Sequence, residues 1–234
     1  MKNICIITAR KGSKRIKNKN IKLFNGKPII YWSIKAALKS KCFYKIIVST
    51  DSVRISNIVK KFGATCDSLR PKKLSGDLIG MDEAIKYEIA KEQKINRIDN
   101  VCCILATAPT INPEDIKRSL KILEKNKKTI KYVFSATNYD FPIQKYFTID
   151  KKGFLQKRKS IFYQKRTQDI RETFHDAAQF YWAHSETFSS TKNIYNSKSL
   201  PYFIPNYKTF DIDEINDWKR SEITFKTMKK MKII

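Results

Sequence analysis

A basic loop rich in small residues follows the first apolar run of the chain: residues 9–15 read Ala-Arg-Lys-Gly-Ser-Lys-Arg. Gly12 has no side chain, so the backbone can turn there and approach a ligand closely, and backbone N–H groups in such a loop can cradle phosphate oxygens. Arg10, Lys14 and Lys19 supply positive charge where a triphosphate would lie. The loop lacks the second glycine of a Walker loop or a Gly-x-Gly-x-x-Gly motif. On its own it therefore predicts either a phosphate site or an exposed turn.

A pair of acidic residues, Asp211 and Asp213, stands near the other end of the chain. We interpret the segment before them as a strand, and residues two apart at a strand end face the same side. Two carboxylates on one side can hold Mg²⁺, which usually completes its shell with water and substrate phosphates. The alternative is that Asp213 caps the helix that follows. Beside the basic loop, metal binding is the favoured interpretation.

The chain carries an unusual excess of positive charge, since 48 Lys and Arg residues against 22 Asp and Glu give a net charge of +26. A nucleic-acid-binding protein is one explanation. The lysines, however, are spread along the chain beside many Asn and Ile residues, which favours a compositional bias with solvated lysines on helix faces. Only 14–22 and 226–232 resemble a cluster. We therefore expect no nucleic-acid partner, although this field would attract any polyanion, including a nucleoside triphosphate.

Hydropathy and cysteine usage both predict a cytoplasmic protein without a membrane segment. No apolar run approaches the ~20 residues of a membrane-spanning helix, and the run at 4–8 is too short for a signal peptide. The five cysteines are odd in number and form no Cys-x-x-Cys, which argues against a disulfide framework. Cys102 and Cys103 are neighbours in an apolar run and would point to opposite faces of a strand, so they are predicted to be buried thiols.

Apolar strands alternate with amphipathic helices over the first 137 residues. In the predicted helices, apolar residues recur every three or four positions, and Asn112 followed by Pro113 is a strong helix start. Pro28 is likewise expected at a first helical position, after a turn at Asn25 and Gly26. The predicted strands cover 4–8, 45–49, 101–105 and 132–137, and the predicted helices cover 28–39, 52–62, 81–94 and the stretch after residue 112.

This alternation predicts an α/β fold with three layers. Crossover connections between such strands produce a doubly wound, mainly parallel sheet with helices on both faces. Ligands bind beyond the carboxyl ends of the strands in such sheets. One site is therefore expected among the loops that follow Thr8, Ser49, Leu105 and Thr137.

Residues 138–178 interrupt the pattern. Aromatic, Arg, Lys and Gln residues interleave there without clear periodicity, which predicts antiparallel hairpins or an arm projecting from the sheet. Beyond the arm, strands are predicted at 179–183 and 208–212 and a closing helix at 214–230. No internal repeat or flexible linker is visible, so 1–234 is interpreted as a single domain that contains the arm.

Taken in order, the motifs resemble those of CMP-sialic acid synthetases and related cytidylyltransferases. The resemblance implies a nucleotide-diphospho-sugar-transferase-like fold and a Mg²⁺-dependent enzyme. In such an enzyme the anomeric hydroxyl of an acidic sugar attacks the α-phosphorus of CTP, and pyrophosphate leaves. The matching segments cover nearly the whole chain: Ala9-Arg-x-Gly-Ser-Lys with Lys19-Asn20, Ser49-Thr50-Asp51, Arg70-Pro71, Leu74-Ser75-Gly76-Asp77, Ala106-Thr107-Ala108-Pro109 and Asp211-Ile212-Asp213.

The same resemblance implies roles for single residues. Arg10 and Lys14 would hold the phosphates, and Asn20 and Arg70 would contact the nucleoside. The expected nucleotide-binding residues are Ala9, Arg10, Gly12, Ser13, Lys14, Asn20, Arg70, Asp77 and Thr107. The expected catalytic residues are Arg10, Lys14, Lys19, Asp211 and Asp213, with Asp211 and Asp213 as the Mg²⁺ ligands.

Three later segments, 141–144, 166–169 and 175–182, resemble the pseudaminic acid cytidylyltransferases in particular. A sugar with a carboxylate and two acylamino groups needs an Arg and several amide-type partners. A structural hydrogen bond remains an alternative role for His175, and ordinary packing for Tyr181 and Trp182. The expected sugar-binding residues are Gln144, Arg166, Gln168, His175, Asp176 and Gln179.

Other substrates remain open at this stage. The segment 105–109 reads Leu-Ala-Thr-Ala-Pro where sialic acid synthetases commonly have Gln-Pro-Thr-Ser-Pro, which weakens an assignment to N-acetylneuraminate. Met81 stands where relatives often carry a small hydroxyl residue. Legionaminate and Kdo are further alternatives, and a basic nucleic-acid-binding module is the non-enzyme alternative. The resemblance also implies a homodimer in which the 138–178 arm helps to close the partner's site.

Overall fold

The computed structural model describes residues 1–76, 79–157, 161–190 and 193–234. Its strands are β1 (Asn3–Thr8), β2 (Leu23–Phe24), β3 (Lys27–Pro28), β4 (Lys45–Ser49), β5 (Asn100–Leu105), β6 (Tyr132–Asn138), β7 (Phe147–Ile149), β8 (Leu155–Lys157), β9 (Phe174–His184) and β10 (Ser199–Phe203). Its helices are α1 (Ile29–Ser40), α2 (Val53–Lys60), α3 (Met81–Gln93), α4 (Pro113–Lys125), α5 (Ser185–Ser190) and α6 (Ile215–Lys230).

The central sheet has the strand order β10-β6-β9-β5-β1-β4. Strands β4, β1 and β5 pair in parallel, and so do β10 and β6. Strand β9 is antiparallel to both of its neighbours, β5 and β6. The remaining strands of this sheet therefore run in one direction, and the prediction of a mainly parallel sheet is confirmed.

Helices cover both faces of the sheet, as the three-layer prediction requires. Successive residues of a strand point to opposite faces of the sheet. Cys5 and Cys102, which are paired across β1 and β5, both join the core cluster packed by α1, α2 and α4. Cys103 joins the opposite cluster, which α3 and α5 pack. The predicted burial of Cys102 and Cys103 on opposite faces is confirmed. Because both faces are covered, β1 and β5 read as continuous apolar runs.

The predicted strand at 208–212 is wrong. Residues Asn206–Lys208 form a 3-10 turn, and the segment that follows pairs with no strand in the described part of the chain. Phe210 and Ile212 are buried against Phe24 and Trp218, outside the central sheet. Their two-residue spacing therefore reflects packing against a hairpin and a helix.

The sheet is completed by β10, which the sequence pattern does not reveal. This strand contains Pro201, and proline within a strand is confined to edges because it cannot donate to a ladder. Strand β10 is an edge strand of the sheet. Strand β9 is also longer than the predicted 179–183, and it starts inside the predicted arm, at Phe174.

Two local predictions at helix starts have different outcomes. Asn112 accepts a hydrogen bond from the Glu114 N–H at 2.9 Å, and Pro113 opens α4, as expected. Helix α1 instead begins at Ile29, one residue after Pro28. Pro28 belongs to a small hairpin because Asn25 and Gly26 both have positive φ, 49° and 80°, as a two-residue hairpin turn requires.

The arm contains one antiparallel hairpin among the described residues, β7 paired with β8. Its apolar side chains face solvent: Phe147 is 56% exposed, Ile149 65%, Phe154 68% and Leu155 54%. The prediction of hairpins in 138–178 is confirmed for this segment. Among the helices of the described residues, none combines the length and the apolar character needed to span a membrane.

Candidate active site

A cleft opens where the parallel strands β4, β1 and β5 end. The loops that follow Thr8 and Leu105 line it, as expected for the carboxyl edge of a parallel sheet. The cleft has a volume of about 560 Å³. We call it the main cleft, and its lining comes from the segments 8–20, 70–76, 79–81 and 105–107 and from Asp213.

Most of the predicted nucleotide-binding residues meet in the main cleft. Those that line it are Arg10, Gly12, Ser13, Lys14, Asn20, Arg70 and Thr107. Ala9 is fully buried beneath the loop, where its N–H donates to Ser49 O at 2.9 Å. Asp77 lies outside the described residues. The structure thus collects residues from three separate loops at one edge of the sheet.

The basic loop is held in place by its neighbours. The Lys11 N–H donates to Asp51 Oδ1 at 2.7 Å, and Asn20 Nδ2 donates to Arg10 O at 3.0 Å. Asp51, from the Ser-Thr-Asp motif after β4, therefore has a positioning role that the sequence did not indicate. A Cβ at Gly12 would meet no protein atom within 4 Å. A side chain at Gly12 would therefore extend into open space, which a ligand bound in the cleft could otherwise approach.

Asp213 joins the far end of the chain to this loop. Its carboxylate forms ion pairs with Arg15 Nη2 at 2.7 Å and with Lys19 Nζ at 3.2 Å. Lys19 Nζ also donates to Ile212 O at 2.6 Å. Asp213 therefore lies beside the basic loop in the main cleft, as the expected metal and phosphate roles of the two segments require. Arg15 lines the cleft as well, although the sequence assigned it no role beyond its place in the basic loop.

Asp211 does not face the same cavity as Asp213. It lines a neighbouring cavity of about 590 Å³, which we call the side cavity, together with residues from 138–141, 175–177 and 206–210 and with Arg220 and Thr224. The predicted placement of both carboxylates on one strand face is wrong, because this segment is not a strand. The capping alternative for Asp213 is wrong too, since Glu214 caps α6 in a capping box with Asp217.

The carboxyl group of Asp211 has a raised pKa. Asp211 is exposed when the surface of the whole residue is considered. Its carboxyl group is nevertheless partly buried, which disfavours the charged form, and the nearby charge of Asp213 adds to this effect. Lys19 acts in the opposite direction by a smaller amount. A cation held near this pair would relieve the repulsion between the two carboxylates.

Arg70 places a buried positive charge at the main cleft. The residue is 6% exposed, and its Nε donates to Ser75 Oγ at 3.3 Å, which in turn donates to Pro71 O at 3.1 Å. Burial lowers the pKa of Arg70, whereas the charges of Asp51 and Glu88 raise it. An arginine keeps its proton under such conditions, so Arg70 presents a fixed cation to an anionic ligand.

Of the predicted sugar-binding residues, His175 and Asp176 line the side cavity. The His175 Nδ1–H donates to the backbone oxygen of Asp176 at 2.8 Å, and the His175 ring packs against Tyr139 at a centroid distance of 4.6 Å. The structural hydrogen bond considered for His175 therefore exists, and its ring still borders the cavity. Arg220, on α6, is a cavity residue for which the sequence offered no signal.

The other predicted sugar-binding residues lie elsewhere. Gln144 donates to Arg171 O at 3.2 Å in the arm, and Gln168 lines a smaller cavity of about 350 Å³. Arg166 is exposed and pairs with Asp169 at 2.9 Å. Gln179 is buried and donates to Lys208 O at 2.7 Å, so its amide joins β9 to the segment before α6. Gln144, Arg166 and Gln168 thus lie in the arm and Gln179 in β9, and none of the four lines the main cleft or the side cavity.

Comparison with known proteins gives a consistent result. A family model described as Cytidylyltransferase matches residues 4–228. Pseudaminic acid cytidylyltransferase of Campylobacter jejuni is 36% identical over 227 residues, covering 97% of each chain. CMP-N,N'-diacetyllegionaminic acid synthase of Legionella pneumophila is 29% identical over 224 residues, covering 95% of each. The solved structure of CMP:2-keto-3-deoxy-manno-octonic acid synthetase complexed with CTP has the same fold, with a TM-score of 0.72 at 15% identity over 97% of this chain and 99% of that one.

Proposed function

The chain belongs to the cytidylyltransferase family, and on that premise we propose that it transfers CMP from CTP to pseudaminic acid and releases pyrophosphate. The observation that carries the proposal is that two cavities with different linings each contain one member of the acidic pair. The main cleft contains cations suited to a triphosphate, and the side cavity contains polar groups suited to a sugar. Asp213 lines the first and Asp211 the second.

The reaction itself requires positioning and charge neutralisation. The anomeric hydroxyl of the sugar attacks the α-phosphorus, the bond to the bridging oxygen of the β-phosphate breaks, and pyrophosphate leaves with that electron pair. A protein accelerates such a displacement by aligning two anions and by stabilising charge on the transferring and departing groups. Arg10, Lys14 and Lys19 line the main cleft and supply that charge.

The remaining nucleotide-binding roles follow the loop geometry. Gly12 offers its backbone N–H group to phosphate oxygens, whereas the N–H of Ser13 donates to Lys11 O at 3.0 Å and shapes the loop. Ser13 lines the cleft, and Arg70 supplies a buried cation there. Asn20 and Arg70 are the proposed nucleoside contacts and Thr107 is a further proposed nucleotide-binding residue, while Ala9 supports the loop from below. Asp77 is assigned to the nucleotide by resemblance alone.

Mg²⁺ is the proposed cofactor, and Asp211 and Asp213 would hold it between the main cleft and the side cavity, because their charges interact although the two residues line different cavities. Within the described residues, no group of three or more His, Cys, Asp or Glu side chains is placed to hold a metal. Two carboxylates still fit Mg²⁺, because this ion commonly takes one or two carboxylates and completes its shell with phosphates and water. The raised pKa of Asp211 fits a site that gains from a cation. When bound, Mg²⁺ would offset charge on the phosphates.

The proposed acceptor rests on the similarity to pseudaminic acid cytidylyltransferase and on the polar lining of the side cavity. The test is pyrophosphate release from CTP with a panel of acidic sugars: pseudaminic acid, legionaminic acid, N-acetylneuraminate and Kdo. We expect kcat/KM to be highest for pseudaminic acid. Comparable values for N-acetylneuraminate would contradict the assignment, and the absence of CTP-dependent turnover with every sugar would contradict the reaction.

We also propose a homodimer in the cytoplasm. The apolar hairpin β7–β8 exposes more than half the surface of each of Phe147, Ile149 and Phe154, and apolar patches of this kind mark protein interfaces. A second copy of the chain is the proposed partner. Cytoplasmic placement is supported by the cysteines: Cys5, Cys42, Cys66, Cys102 and Cys103 are all free thiols, as is usual in a reducing compartment.

A further inference from the structure

The carboxylate of Asp176 is held by three hydrogen-bond donors, two from its own strand β9 and one from a later segment of the chain. Its Oδ2 accepts the hydroxyl of Tyr181 and the hydroxyl of Tyr195, the latter at 2.7 Å. Its Oδ1 accepts the N–H of Ala178 at 2.9 Å. Tyr195 lies in the connection between α5 and β10, 19 residues from Asp176. The orientation of one cavity carboxylate thus depends on a long-range contact.

An irregularity in the sheet makes this arrangement possible. The pairing of β6 with β9 shifts between Phe134 and Ala136, and Ala178 adopts a φ of 52°. A positive φ is uncommon for a residue with a Cβ and persists only where the surroundings require it. Ser135 Oγ accepts the N–H groups of both Gln179 and Phe180, each at 3.1 Å, and so stabilises the displaced backbone. Bulges of this kind redirect side chains and are frequent beside active sites.

The two tyrosines act as donors over a wide pH range. Burial, followed by the neighbouring charge of Asp176, raises the pKa of Tyr181. Tyr195 is 57% exposed as a whole residue, but partial burial of its hydroxyl and the hydrogen bond to Asp176 raise its pKa as well. Both phenols therefore keep their protons, and an ionised carboxylate can only accept. The three contacts leave Asp176 with a defined orientation at the wall of the side cavity.

We propose that Tyr181 and Tyr195 are positioning residues that orient Asp176 to accept a hydrogen bond from an amide N–H of the acceptor sugar. The inference rests on the proposed function, because it assigns the acceptor to the side cavity. A carboxylate has about four lone-pair directions, and three of those of Asp176 are used by protein donors. The remaining direction, on Oδ1, selects one donor and repels a carbonyl or carboxylate placed there.

This arrangement makes Asp176 a specificity-determining residue. A site built to hydrogen-bond a substrate N–H rejects an analogue that lacks it, because a polar group of the protein is then left unpaired. An acceptor with a hydroxyl in place of the acylamino group still donates but lacks the amide geometry. An acceptor with hydrogen at that carbon offers no donor at all. The enzyme should therefore use the acylamino acceptor best, the hydroxyl analogue less well and the deoxy analogue least.

The first experiment compares Tyr195→Phe with the wild type by steady-state pyrophosphate release. We expect the KM for pseudaminic acid to rise about tenfold, with the KM for CTP unchanged and kcat altered less than threefold. Tyr202→Phe is the matched control, because the Tyr202 hydroxyl also donates to a carboxylate, that of Asp115, at 2.9 Å outside the two cavities. Tyr202→Phe should leave both KM values unchanged. Thermal unfolding of each variant checks that the fold is intact.

The second experiment is a double-mutant cycle of Tyr195→Phe with Asp176→Asn, measured with pseudaminic acid and with its deoxy analogue. With pseudaminic acid, we expect the effects of the two substitutions on kcat/KM to be strongly non-additive. With the deoxy analogue, we expect this non-additivity to disappear. An active wild type whose acceptor KM is insensitive to Tyr195→Phe and Asp176→Asn would overturn this inference alone. An inactive wild type would overturn the proposed function and this inference with it.

Discussion

Lys19 Nζ lies 3.2 Å from Asp213 Oδ1, although the two residues are 194 positions apart in the chain. The same ammonium group donates to Ile212 O at 2.6 Å. One lysine thus anchors the segment before α6 to the loop after β1. Lys19 and Asp213 both line the main cleft, so this contact contributes to the shape of the site as well as to its charge.

Replacing Lys19 by methionine should reduce kcat by at least about 100-fold, the usual cost of removing one fixed charge-stabilising group from an active site. The apolar stem is kept, so the loss is mainly one of charge. Lys17→Met removes the same charge from an exposed position in the same loop and is the control. Equal effects of the two substitutions on kcat would show that the total positive charge of the loop, and not the position of Lys19, supports catalysis.

Asp211 and Asp213 are expected to have different functions, because they line different cavities. Asp213→Asn should lower kcat by about 100-fold or more and weaken the dependence on Mg²⁺, because a proposed Mg²⁺ ligand and the partner of Lys19 and Arg15 are lost. Asp211→Asn should lower activity while leaving CTP binding nearly unchanged. Turnover and nucleotide binding are measured across a Mg²⁺ titration, with chelator as the zero point. Undiminished turnover of either variant at saturating Mg²⁺ would remove the role assigned to that residue.

Asp211 should also make stability depend on pH. An aspartate in an unfolded chain has a pKa of about 3.9, and the pKa of Asp211 is raised in the folded protein. Stability is therefore lost as pH rises through the folded pKa. Without divalent cations, Asp211→Asn should unfold at a higher temperature than the wild type at pH 7, and the difference should vanish near pH 4. Solvent screening limits the effect to less than about 1 kcal/mol. A variant less stable than the wild type at pH 7 would refute the burial argument.

Arg70→Lys should raise the KM for CTP by about tenfold with a smaller change in kcat. Lysine keeps the charge but lacks the planar group whose Nε bonds to Ser75, so the cation is no longer held at one orientation. Arg97→Lys is the comparison, since Arg97 forms an exposed ion pair with Asp99. If both variants bind CTP as the wild type does, in calorimetry or kinetics, Arg70 does not contact the nucleotide.

The exposed hairpin predicts the oligomeric state. Ile149→Asp combined with Phe154→Ser should convert a dimer to a monomer, because it removes two apolar side chains that are 65% and 68% exposed. Light scattering after size-exclusion chromatography gives the mass directly. Exposed Ile223 on α6 is a matched site, and Ile223→Asp should leave the mass unchanged. A wild type that is monomeric at micromolar concentration would refute the dimer.

Local patterns were sufficient for much of this architecture. The apolar runs of β1, β4 and β5 predict a parallel sheet buried on both faces, and such a sheet places its loops at one edge. The basic loop after β1 and the cap at Asn112 are also readable from neighbouring residues alone. These features depend on interactions within a few positions of the chain, where residue type and spacing carry the physical information.

The other features of the fold and of the site depend on tertiary contacts. Phe210 and Ile212 alternate like a strand, but alternation reports burial and not pairing, and their burial comes from Phe24 and Trp218. Pro201 argues against a strand until β10 is known to lie at the sheet edge. Packing of the chain also places Asp211 and Asp213 in different cavities. It brings Arg15 to Asp213 and Tyr195 to Asp176, two contacts between residues far apart in the sequence. Hydrogen bonds and ion pairs act over a few ångströms of space, and distance along the sequence does not encode them.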